Sequence, residues 1–423
     1  MTKFFILQNI LTYLTVSIEK ESTMKKFGLA VVVFCLLLPV VTFAAGSGEK
    51  ENAIKIGFIG PLTGDAANYG KLMTQAVKIA VEERNAKGGI GGVKVVFLPE
   101  DSEGKPEKAN AAIEKLASVD KIYGLIGGVF SGESLAIAPR CEAEKILMIS
   151  PSATHKDLTN KGDYIFRDVP SDALQATVFA KYVREVMGLS RVAILYIKND
   201  YSQGLSMDFK SQFEADGGTI VGMETGLQGD KDFKTQLTKI KALNPEALFI
   251  PNYVAEIAQI LEQAKQLGLN TKMLSADGFS NPEILELAGD LANGVIFSGP
   301  EKEDPAQANA KTAAFEKKYE EKWGEKPDSF SLNAYDGANL IMDAIQAAYD
   351  KASDADKKAL NLDRSLMQKY VAGIKGYMGV SGEITFAPNG DVIKNQGILT
   401  AENRQYKQIG VYRIESGKLV KVK

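Results

Sequence analysis

Histidine and cysteine are nearly missing from this 423-residue sequence, which has one His and two Cys. A zinc site of the His-Glu-x-x-His kind cannot be built from a single histidine, and a serine–histidine relay has His155 as its one candidate base. No Gly-x-Ser-x-Gly elbow surrounds Ser131, whose neighbours are Phe130 and Gly132, and no phosphate-binding Walker loop occurs. The cluster Gly88-Gly89-Ile90-Gly91-Gly92 follows a helical stretch instead of a strand. Lys94 stands where a dinucleotide fingerprint needs its third glycine, so the cluster reads as a helix stop and turn. Cys35 lies in an N-terminal apolar segment and Cys141 in a helical stretch, where a thiol acts as a small buried apolar group, so no disulfide framework is available. An excess of charge is also lacking. Fifty Lys and Arg oppose 53 Asp and Glu for a net charge of −3, which leaves no footprint for nucleic acid or anionic lipid.

A long hydrophobic run is the next absence. After Met24, Lys25 and Lys26, the apolar stretch from Phe27 to Val41 falls short of the ~20 residues a spanning helix needs, and it contains Pro39. With Thr42-Phe43-Ala44 behind it, the stretch reads as a secretory signal over residues 24–44, cleaved after Ala44. Residues 1–23 read as an upstream mis-start without function, Met24 being the better start. Phe34 before Cys35 argues against a lipidated cysteine, which wants a small residue there. The expected location is the periplasm.

What is present is a long alternating pattern. Hydrophobic residues make up 45% of the chain, enough for more than one domain of ~100–200 residues. Short Val- and Ile-rich runs alternate with longer segments of helical period, the signature of βαβ units and parallel sheets. The expected strands are Ile54–Ile59, Val93–Leu98, Tyr123–Ile126, Ile146–Ile149, Val192–Ile197, Thr219–Met223, Ala247–Ile250, Met273–Ser275 and Val295–Ser298. Helices are expected over Tyr69–Lys87, Pro106–Ser118, Leu135–Glu144, Ala173–Met187, Gln203–Asp216, Phe233–Leu243 and Ala255–Leu267. The pattern restarts after Arg167-Asp168-Val169-Pro170. The fold expected is therefore α/β, two doubly wound parallel-sheet lobes joined by three crossings, the others at Glu301–Pro305 and Phe386–Gly390, ahead of a final strand pair. Lobe 1 takes residues 53–171 plus 301–385 and lobe 2 takes 172–300 plus 386–423.

Ligands of open parallel sheets bind at the carboxyl ends of strands, so the polar loops there are the candidate site. In lobe 1 these are Gly60-Pro61-Leu62-Thr63-Gly64 leading to Tyr69, Gly127 to Gly132 with Ser131, and Ser150-Pro151-Ser152-Ala153-Thr154. Their hydroxyls and free N–H groups suit a carboxylate, although each loop alone is equally well ordinary turn and cap chemistry. In lobe 2 they are Lys198-Asn199-Asp200-Tyr201, Pro251-Asn252-Tyr253 and Ala276-Asp277-Gly278. Asp277 there could pair with an ammonium and the tyrosines could close over an apolar group; singly, each is more often a cap or packing residue. Phe130, Tyr69 and Tyr253 together point to an aromatic-lined chamber.

Several stretches carry a resemblance in combination. They are Ile54-Lys55-Ile56-Gly57 with Gly60 to Gly64, Asn85-Ala86-Lys87-Gly88-Gly89-Ile90, Ile146 to Thr154, Asp200-Tyr201, Asp232-Phe233, and Gly382 with Phe386, Gly390 and Asp391. In order and spacing these resemble the branched-chain amino-acid binding family of type I periplasmic binding proteins, from about Ile54 to the end. The resemblance implies a receptor of an ABC importer, not an enzyme, that needs no cofactor or metal. It would bind a small, branched-chain or other apolar amino acid by hinge closure, act as a monomer, and deliver the ligand to a membrane permease. It also implies that Ser131 and Thr154, with the backbone of Ser152 and Ala153, hold the α-carboxylate and part of the ammonium. Tyr69 flanks the ligand, Tyr201 and Tyr253 close over it, and Asp277 pairs with the ammonium. Leucine-binding relatives commonly carry glutamate at the Asp277 position, so the ligand itself stays open. A sensory module of the same fold, a binder of an aromatic or other small carboxylate, and an enzyme using Ser131 and His155 are the alternatives.

Overall fold

The computed structural model describes residues 52–302 and 309–423. The expected signal segment, the upstream residues and positions 303–305 of the second crossing lie outside them.

Strands β1 (Ile54–Gly60), β2 (Val95–Asp101), β3 (Gly124–Gly127), β4 (Leu147–Ser150) and β5 (Ile165–Arg167) form one sheet in the order β2-β1-β3-β4-β5, every pair parallel. β1, β3 and β4 are buried almost without interruption, as strands covered on both faces must be, which is why they read as unbroken apolar runs. The second sheet begins with β6 (Arg191–Ile197), β7 (Thr219–Gly226), β8 (Ala247–Phe249), β9 (Lys272–Ser275) and β10 (Ile296–Pro300). Its parallel part runs β7-β6-β8-β9-β10, the order of the first sheet over again. A small hairpin, β11 (Tyr377–Met378) and β12 (Glu383–Ile384), stands apart. The second sheet then continues antiparallel through β13 (Gln396–Glu402), β14 (Gln405–Glu415) and β15 (Lys418–Lys421). The tail therefore holds three strands, not the expected pair, because the turn at Ser416-Gly417 returns the chain along β14 once more.

Two expected boundaries also move. Val93 bonds Ile90 in both directions at 2.9 Å in a tight turn, so β2 starts two residues later. The stretches Pro106–Ser118 and Ala173–Met187 each close with a wider π-helical turn, Lys115–Asp120 and Tyr182–Val186. Beyond residue 300 the helix Ser329–Lys351 is capped by the Asp328 carboxylate on the Ser331 N–H and packs against the first sheet, where Gly337 lies against Ile149. The chain thus leaves the first sheet after β5, returns to it after β10 and leaves again before β13.

The crossings are tied by buried charge. Arg167 is fully buried, and its Nε meets the Asp391 carboxylate at 2.6 Å. Next to it Asp168, also fully buried, meets Lys394 Nζ at 2.6 Å. Each pair joins the first crossing to the third.

Candidate functional site

Both sheets switch direction at their second strand, between β1 and β3 and between β6 and β8, and the loops at these points face one another. A cavity between them is lined by Tyr69, Val129, Phe130, Ser131 and Ser152 from the first sheet's loops, by Tyr201, Tyr253, Asp277 and Gly278 from the second's, and by Phe330 from the Ser329–Lys351 helix. Six of the eight sequence-predicted residues are thereby brought together. The other two stand behind the wall. The Ala153 N–H is donated to Ser150 Oγ at 3.0 Å, and the Thr154 hydroxyl is buried beside Asp172, whose N–H donates to the Thr154 carbonyl at 2.7 Å.

The tyrosines have distinct tasks. The Tyr69 hydroxyl donates across the cleft to the Gly278 carbonyl at 2.7 Å. The Tyr201 hydroxyl donates to Asp277 Oδ1 at 2.7 Å and accepts the Gly278 N–H at 2.9 Å. Gly278 must be glycine for this approach, since a Cβ there would lie 2.3 Å from the Asn252 carbonyl oxygen. Tyr253 stacks on Phe130 with centroids 4.0 Å apart, and on Tyr201 at 5.2 Å on the other side. Burial raises all three phenol pKa values well above the usual range, so the hydroxyls stay neutral donors.

Asp277 is held by Gln175, which donates to Oδ1 at 2.8 Å and receives the Asp277 N–H on its own carbonyl. Burial lifts the Asp277 carboxyl to about 6. Asp172 is a second carboxylate here, and sequence reasoning passed over it. Burial, and then the charge of Asp277, push its pKa well above the usual range, against the smaller opposing pull of the Thr154 hydroxyl beside it. A cation whose charge reaches it, the Arg167 guanidinium, is committed to Asp391 and to the His155 carbonyl at 2.7 Å. The available signal was its place at the start of the helix Asp172–Lys181 directly after a crossing, a position that normally reads as a first-turn acid.

Ser131 opens the helix Ser131–Ala143, and its Oγ accepts the His155 backbone N–H at 3.2 Å. The imidazole of His155 instead accepts the Asp157 N–H on Nδ1, so the serine and the ring are not joined as nucleophile and base. The Ser152 hydroxyl donates to the Val129 carbonyl at 2.7 Å.

Two matching α/β lobes on a three-strand hinge, with a cleft between their switch points, define the class of two-lobed solute-binding proteins. The chain belongs to the periplasmic binding protein family, whose model matches residues 53–401. It is 31% identical to the Leu/Ile/Val-binding protein homolog 3 of Brucella melitensis, over 84% of this chain and 94% of that one. It is 32% identical to the leucine-, isoleucine-, valine-, threonine- and alanine-binding protein of Pseudomonas aeruginosa, over 75% of this chain and 83% of that one. The crystal structure of a leucine-binding protein from Thermotoga maritima superposes with a TM-score of 0.77 at 29% identity, covering 85% of this chain and 98% of the other.

Proposed function

We propose that the protein is the exported receptor of an ABC importer, capturing a small apolar α-amino acid between its lobes and passing it to a membrane permease. The observation that carries this is the facing pair Asp172 and Asp277. Asp277 lines the cavity with Asp172 buried behind it, and two adjoining buried carboxyls favour a cation with several N–H donors, a need that a ligand ammonium meets. The ligand carboxylate then lies toward Ser131 and the positive N-terminus of its helix, with Ser152 beside it. Tyr69, Tyr201 and Tyr253 enclose the side chain. The names of the relatives, which cite leucine, isoleucine and valine, support an apolar side chain. In this reading residues 53–171 with 301–385 move as one lobe and 172–300 with 386–423 as the other, and residues 24–44 are the export signal. The protein works as a monomer.

The test is calorimetric titration with α-amino acids and with the matching des-amino acids. Binding confined to the amino series, weakened roughly hundredfold in Asp277→Asn, is the expected outcome. Equal binding of isovalerate and leucine would sink the assignment.

A further inference from the structure

We propose that Phe130 sets the size limit of the side-chain chamber and restricts the ligand to short side chains, of alanine to valine length. The proposal rests on the amino-acid reading above. The cavity left between the rings is ≈ 20 Å³, room for about one water, so the lobes close this far over a ligand only where a ring gives way. The rings differ in what holds them. Tyr69 and Tyr201 are pinned through their hydroxyls to Gly278 and Asp277. The Tyr253 hydroxyl makes no hydrogen bond among the described residues, so this tyrosine alone is held only by ring stacking, on Phe130 and Tyr201, and is the one that yields. Phe130 is wedged. Its backbone N–H is held by Glu133 Oε2 at 2.8 Å, its ring meets Tyr69 edge-on at 5.4 Å, and its far side lies against Gly104.

The fit against Gly104 is close enough that a Cβ there would come within 3.1 Å of the Phe130 ring, and the glycine's φ of +71° suits no other residue well. Loop and ring are thus matched to keep Phe130 in place. When Tyr253 turns away, the ligand's side chain meets the face of Phe130 as a fixed floor, and each added methylene beyond that floor has nowhere to go.

Calorimetry on the refolded protein, run over glycine, alanine, valine, leucine and phenylalanine and over the des-amino acids of the same lengths, separates this from the amino-acid reading. Wild type should bind alanine and valine more tightly than leucine and phenylalanine. Phe130→Ala should raise the leucine-to-alanine affinity ratio by about tenfold or more, with Phe130→Leu intermediate and still folded by its melting temperature. The same cutoff and the same shift in the des-amino series would keep the size limit while overturning the amino-acid reading. A wild type that prefers leucine, or a ratio unmoved in both variants, overturns the size limit.

Discussion

Asp277 and Asp172 show how burial turns an ordinary residue type into a proton reservoir. Both carboxyls are raised by burial, Asp277 to about 6, and each charge opposes the other, so near neutral pH the pair retains proton density that two exposed acids would have lost. An ammonium arriving between them favours the charged forms, lowers both pKa values and expels a proton. Ligand titrations in buffers of different ionisation enthalpy at pH 6.5 should therefore report net proton release, and affinity should weaken as pH falls below about 6. Glu133 is a second case, without a ligand role. It is fully buried, accepts from Ser102 Oγ and the Phe130 N–H, and is lifted by burial to about 7. Its folded pKa exceeds its unfolded one, so the native state holds the proton more tightly. Stability is complete below the unfolded pKa and is lost as pH rises toward 7. Glu133→Gln, which can give its amide to Ser102 and its carbonyl to Phe130, should gain on wild type between pH 5 and 7 by at most about 1.4 kcal/mol per pH unit in denaturant melts.

The hinge is decided at the level of elements. Arg167 and Asp168 end β5 and begin the first crossing, while Asp391 and Lys394 sit in the third, so two strands of the hinge are fastened to each other by charges taken out of water. Breaking one such pair leaves a buried charge alone, which costs more than the intact pair contributes. Lys394→Met should lose about 3 kcal/mol of stability in chemical denaturation, and adding Asp168→Asn should restore most of it. These elements also mark what was legible. All nine expected strands lie in the sheets, the central ones legible because strands buried on both faces are unbroken apolar runs, while the edge strands β2 and β7 are only partly buried. β5 escaped because it is three residues long and carries the arginine that fastens the hinge. The helices beyond residue 300 were assigned to lobe 1 without being delimited. The candidate site was legible in its strand-end loops, where Tyr69, Ser131, Ser152, Tyr201, Tyr253 and Asp277 all line the cavity. Asp172 was not, since at a helix start an acid that faces solvent and an acid buried against another carboxyl look alike, and only the packing that brings Asp277 beside it distinguishes them.

Across the whole molecule the question is what holds the lobes together once a ligand is enclosed. Several polar contacts span the cleft outside the ligand chamber or at its rim. Lys231 meets Asp65 at 2.7 Å, Lys156 meets Asp208 at 2.6 Å, Asn68 donates to Asn281 at 3.0 Å, and Tyr69 donates to Gly278. The Lys231–Asp65 pair is more than half exposed on both sides, and Lys156 is nearly half exposed, so water and salt screen them. The Tyr69 hydroxyl, by contrast, is 2% exposed together with its ring, and its bond is made in the dry part of the cleft. Closure should accordingly depend on the tyrosine far more than on the lysines. Replacing Lys156 and Lys231 together by methionine should weaken ligand binding by less than about tenfold and reduce its dependence on salt. Tyr69→Phe leaves the Gly278 carbonyl unpaired in the closed form alone, so it should shift the balance toward the open form and speed ligand release by roughly tenfold in stopped-flow displacement, with association nearly unchanged. If the double lysine variant released ligand faster than Tyr69→Phe, the closed form would be held at its rim and not at its centre.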